Sequence, residues 1–140
     1  MAKGAKEVLV EGEMPNKNKY GRVLNMMKAS LEKFFEYVGS DEELMYFMRI
    51  NADWNEESFI KMEQLIREVI RDYANDDSYH KKFIIYFMRE IPSIIEMLSH
   101  FKVCPEDYIQ EGYTQESYRN LIAERVERLQ KLRKDFIKSL

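Results

Sequence analysis

Several side chains in this 140-residue chain are spaced so that they could do chemistry. Glu96 and His100 lie four residues apart, which on a helix sets a carboxylate and an imidazole on one face, as in helical zinc and di-iron sites. Such sites need further donors, an HExxH sequence or paired Glu-x-x-His segments, and the chain has neither. Asp77-Ser-Tyr-His80 has a three-residue spacing, but Asp77 is better explained as a helix cap. Cys104 stands beside Pro105 at a helix start, where a thiolate would be favoured. Without a base chosen for it, a lone cysteine reads as a small buried hydrophobe. Asp41-Glu42-Glu43 and Glu56-Glu57 could attract a divalent cation, yet they lack regular carboxylate spacing along two paired helices. No GxGxxG or GxxxxGK[ST] phosphate loop occurs. The expectation is a protein with no catalytic residues, no metal ligands and no cofactor.

Charge is more informative than any motif. The net charge is −3, but residues 32–77 hold 13 Asp and Glu against 5 Lys and Arg, a local balance of −8. Residues 1–28 and 124–140 each carry 6 Lys and Arg against 3 acids. An acidic middle of this kind is either a set of solvated helix faces or a surface that meets a basic partner. The carboxylates best placed to meet one are Asp41, Glu42, Glu56 and Glu57, at the openings of two helices. Trp54, between them in sequence, either supplies the aromatic anchor of that surface or staples the following helix to the core.

The elements that must position these residues are helical. Hydrophobic residues make up 45% of the chain and aromatics 13%, enough for a packed core, while 5 Gly and 3 Pro leave little room for long loops. Tyr20, Val23, Leu24, Met27, Leu31, Phe34, Phe35 and Val38 recur at three- and four-residue steps, one stripe of an α-helix that Gly39 ends. Ser40-Asp-Glu-Glu43 has the form of a capping box for a short second helix reaching about Ile50, and Asp53-Trp-Asn-Glu56 repeats that form for a third. The third helix turns Phe59, Met62, Ile66, Val69 and Tyr73 inward. A fourth, apolar nearly all round over Phe83–Met88, is the expected central element. Pro92 either kinks it or splits it. Pro105 opens a helix of about two turns that Gly112 stops. Thr114 caps a last helix with Tyr118, Leu121, Ile122, Val126, Leu129, Leu132 and Phe136 inside. Arg125, Arg128, Lys131, Arg133, Lys134 and Lys138 are placed on its outer face. The fold class is therefore all-α: a single-domain helical bundle of five or six helices over residues 21–140, preceded by an N-terminal arm over residues 1–20, extended or disordered.

One tetrapeptide occurs twice: Tyr46-Phe-Met-Arg49 and Tyr86-Phe-Met-Arg89, 40 residues apart. A helical repeat of that period would keep other core positions in step, but Ile50 falls opposite Glu90, Trp54 opposite Ile94 and Phe59 opposite Ser99. Coincidence within buried helix is the better reading.

The longest apolar run is six residues, so no membrane span is expected, and the basic start lacks the hydrophobic region of a secretory signal. With one cysteine, a cytoplasmic setting fits. The functional expectation is a non-catalytic protein-binding module, in the manner of an acidic inhibitor or an immunity- or antitoxin-type partner of a basic enzyme. The alternative is a nucleic-acid-associated accessory protein using the basic C-terminal helix and the N-terminal arm. Self-association through that helix is also open.

Overall fold

The computed structural model describes residues 27–140, and the expected arm, with its Val8-Leu9-Val10 stretch, lies outside them. Of the described residues 71% are helical and none is in a strand, which makes this an all-α protein. The elements are α1 (Ala29–Tyr37), α2 (Leu44–Asn51), α3 (Glu56–Asp72), α4 (Lys81–Ile85), a π-helical turn (Tyr86–Glu90), α5 (Ile91–Leu98), α6 (Glu106–Gln110) and α7 (Gln115–Lys138). Because α4, the π turn and α5 run on without a break, the described residues form six helical rods. The described residues fall into two units, 27–32 and 33–140. The first contains the opening of α1. The packing that builds the site belongs to the second.

Helix boundaries follow local chemistry in some places and tertiary contacts in others. Gly39 (φ +86°) and Gly112 (φ +104°) take the left-handed conformation expected after a helix. Thr114 caps α7 as expected: its Oγ1 accepts from Ser117 N at 3.0 Å while Ser117 Oγ accepts from Thr114 N at 2.8 Å. The other three expected caps are corrected. Helix α2 begins at Leu44, and no capping box forms over Ser40–Glu43. The phenol of Tyr37 accepts the Leu44 N–H at 2.9 Å, and Glu43 reaches back to accept from Gly39 N at 2.8 Å. The cap of α3 is Asn55, whose Oδ1 accepts from Ser58 N at 2.8 Å, rather than Asp53. The cap of α4 is His80, whose Nδ1 accepts from Lys82 N, rather than Asp77. Pro105 stands at the N-cap of α6, one position before the first helical residue where it was expected.

Pro92 neither splits the fourth rod nor lies in an unbroken α-helix. Proline cannot donate to the Met88 carbonyl, and its ring crowds that carbonyl. The turn immediately before it widens to π geometry, with Ile91 N–H bonding to Tyr86 O five residues back. That turn sends two consecutive aromatics, Tyr86 and Phe87, into the core. Phe87 stacks on Phe136 of α7 with centroids 4.0 Å apart and planes within 8°. Phe34 meets Phe83 edge-on at 5.1 Å and Tyr86 at 5.0 Å. The rod is central, as expected, but it is not buried all round, since Met88 is 70% exposed.

Candidate protein interface

The acidic edge is assembled where the turn between α1 and α2 meets the first turn of α3. Tyr37 holds that meeting together: besides accepting from Leu44 N, its hydroxyl lies 3.1 Å from both the backbone oxygen and the Oγ of Ser58 in α3. Burial pushes this phenol up to about 12, so it stays protonated as a donor. Ser58 Oγ in turn donates to the Glu42 carbonyl. These buried polar ties leave little freedom between the two segments that carry the acids.

Asp41, Glu42 and Glu57 are exposed there. Glu42 pairs with Lys61 of α3, both side chains more than half exposed, a geometry worth little in water. Asp41 and Glu57 have no ion-pair or hydrogen-bond partner for their carboxylates among the described residues. Two solvent-open grooves of about 350 and 390 Å³ adjoin along the Glu42–Lys61 pair. The first is lined by Phe47, Asn55, Glu57 and Ser58, the second by Lys33, Glu36 and Asp41 among others. Half-buried Phe47 is the apolar element of the first groove.

The remaining two expected interface residues sit differently. Trp54 is only 6% exposed, so the stapling arrangement is the one adopted. Its ring packs on Phe59 at 5.1 Å, and its Nε1 donates to Glu56 Oε1 at 2.9 Å. Glu56 is exposed but engaged, accepting from both terminal nitrogens of Arg128 at 3.0 and 2.6 Å. Arg128 and, secondarily, Trp54 hold this carboxyl below its ordinary range. An acid and a base that sequence alone assigns to opposing surfaces thus neutralise each other.

The basic face of α7 is thinner than expected for the same reason. Lys131 pairs with Asp135, which also takes Arg67 of α3. Arg125, expected outside, is a correction: it is 8% exposed and lies under two rings, with its guanidinium carbon 5.3 Å from the Trp54 centroid and 5.9 Å from that of Tyr108. Tyr108 in α6 donates to Asp53 Oδ1 at 2.8 Å and receives a long 3.5 Å bond from Arg125. Sequence reasoning missed this cluster of Asp53, Tyr108 and Arg125. A signal for it exists in the spacing, because Ile122, Arg125, Leu129, Leu132 and Phe136 form a stripe at three- and four-residue steps. Residue type outweighed position.

The other candidates for chemistry are not gathered into a site. Glu96 and His100 meet at 3.3 Å on an exposed face, away from any third donor, and among the described residues no group of three His, Cys, Asp or Glu is arranged to hold a metal. Cys104 is buried, and burial with Asp107 nearby pushes its thiol up, away from thiolate. No helix among the described residues is long and apolar enough to cross a membrane. Compared with known families, curated proteins and solved structures, the chain has no match.

Proposed function

We propose that the protein is a non-catalytic binding module whose acidic edge docks on a basic surface of another protein. The observation that carries this reading is that Asp41 and Glu57 are exposed without cationic partners among the described residues, beside Glu42, where the α1–α2 turn is tied to the first turn of α3. Exposed carboxylates are well hydrated and need no partner for stability. Opposite a basic surface they steer encounter and fix register. Phe47, in the groove between Glu42 and Glu57, offers the apolar contact that a purely charged rim lacks. Covering the cationic site of an enzyme, in the manner of an inhibitor or immunity protein, is the role this chemistry suits. Trp54, which is buried, and Glu56, which is exposed but paired with Arg128, are not part of the proposed contact.

The test compares wild type with the triple variant Asp41→Asn, Glu42→Gln, Glu57→Gln as baits side by side, followed by association kinetics with whatever partner is retained. The expected result is a basic protein held by wild type and lost from the variant, with association slowed about tenfold at low salt and less at high salt. Exposed Arg133, Lys134 and Lys138 favour the nucleic-acid alternative. If neutralising those three abolishes binding to a nucleic acid while the acidic variant binds every partner as wild type does, the alternative replaces the proposal.

A further inference from the structure

The segment from Ser99 to Tyr113 has almost nothing of its own in the core and meets Arg125 through Tyr108. Helix α6 buries no residue, and Ile109 and Val103 point outward at 56% and 79% exposure. The buried residue of the segment is Cys104. Two polar clamps hold it. Gln115, in the first turn of α7, donates to the Lys102 carbonyl and accepts from Cys104 N at 2.9 Å. At the other end Tyr108 binds Asp53 at 2.8 Å, and its ring lies against Tyr118 and Tyr113. Gly112, left-handed, forms the joint between α6 and α7.

What this segment covers is poorly satisfied. Arg125 is only 8% exposed, and among the described residues its buried Nε has no hydrogen-bond partner, while its terminal nitrogens, still at the edge of solvent, make one side-chain bond, the 3.5 Å contact to Tyr108. Among the described residues no carboxylate pairs with it directly, since Asp53 reaches it only through the Tyr108 hydroxyl. A guanidinium largely withdrawn from water, with its Nε unpaired, carries a desolvation cost. The Trp54 and Tyr108 rings offset part of that cost by facing the cation. A cover with few apolar contacts, laid over a cation that gains hydration when uncovered, is set to open locally.

We propose that residues 99–113 form a strap, latched by Tyr108, that opens without global unfolding and uncovers Arg125 and Trp54. Opening hydrates the guanidinium and removes one of the two rings that flank it. It exposes a tryptophan and an arginine side by side, the residue types that anchor protein interfaces. The latch is Tyr108–Asp53, and Arg125 works against closure.

Hydrogen exchange read by mass spectrometry on the full chain tests this. In wild type, amides of residues 101–113 should exchange at least about tenfold faster than those in the middle of α3 and α7. Tyr108→Phe keeps the ring and removes the hydrogen bond to a carboxylate. It should accelerate strap exchange about tenfold or more while α3 and α7 stay as in wild type. Arg125→Met fills similar space without charge and should slow strap exchange, the opposite of what loss of a merely structural arginine would do. Trp54 is the single tryptophan, so acrylamide quenching should rise in Tyr108→Phe as the strap opens more often. Should Tyr108→Phe fail to fold, Asp53→Asn breaks the same latch and carries the same expectation. Strap amides that exchange only as slowly as α3 and α7, or an Arg125→Met variant whose strap exchanges faster, overturn the proposal.

Discussion

The two Tyr-Phe-Met-Arg segments carry the same four side chains on helices and bury opposite ones. In α2, Met48 is 1% exposed, Tyr46 faces solvent and Phe47 is half-buried. In the π turn, Tyr86 and Phe87 are buried and Met88 is 70% exposed. Both arginines reach water. A repeat would have conserved the register of burial, so the echo is one of composition and not of packing. The difference arises from what surrounds each segment. The first belongs to a regular two-turn helix that offers one stripe to α3 and α5. The second precedes Pro92, and the widened turn that accommodates the proline brings two adjacent aromatics onto the inner side. Identical local sequence therefore leaves open which side chain is core.

The comparison can be broken most forcefully at Phe87. Its ring is 2% exposed and stacked on Phe136, so Phe87→Ala should destabilise by about 3–5 kcal/mol. Phe47→Ala, half-buried at the rim of a groove, should cost clearly less. Chemical denaturation of both variants decides, and equal costs would mean that the two segments are packed alike after all. The methionines should show the reverse order. Met48→Ala is expected to cost about 2–5 kcal/mol and Met88→Ala within about 0.5 kcal/mol, because the one is enclosed and the other is at the surface. A large loss from Met88→Ala would place that side chain in a contact of its own, such as a partner surface.

The smallest effect concerns Glu43, a buried carboxylate beside the first segment that also feels the charge following the second. Burial raises its pKa, Glu90 raises it further, and Arg49 and the bond from Gly39 N–H act the other way. The native state therefore holds this proton more tightly than the unfolded chain. Its contribution to stability is fullest below the ordinary glutamate range and is lost as pH rises through the raised native value. Glu43→Gln, whose amide oxygen can still accept from Gly39 N–H, should melt higher than wild type near neutral pH. The advantage should vanish in acid once the wild-type carboxyl is protonated. A variant that melts lower than wild type at neutral pH would show that the charge on the Gly39 bond outweighs burial.

Much of the fold is legible without coordinates because it rests on spacing and on residues with few backbone choices. Phe59, Met62, Ile66, Val69 and Tyr73 were readable as one face of α3; the first four are buried, and Tyr73, at the C-cap, is half-buried. Gly39, Gly112 and Thr114 mark helix ends through their own backbone and side-chain chemistry. Within the candidate interface, the exposure of Asp41, Glu42 and Glu57 was legible in the same way, since polar residues at a turn are solvated by default.

What spacing left undetermined are the places where a polar group has two available partners and the tertiary structure selects one. The sequence offers Ser40 to cap α2, but the Leu44 N–H goes to the phenol of Tyr37, from the preceding helix, and Glu43 turns back to Gly39. It offers Glu56 and Arg128, 72 residues apart, to separate surfaces, and packing of α3 beside α7 joins them in a bidentate pair. It places Arg125 within an apolar stripe, where charge argues for solvent and position for the core. The rings of Trp54 and Tyr108 make the buried position tolerable. Helical periodicity is a property of neighbours along the chain and can be counted from it. The pairing of charges and the burial of a guanidinium depend on groups distant in sequence, so only the assembled fold decides them.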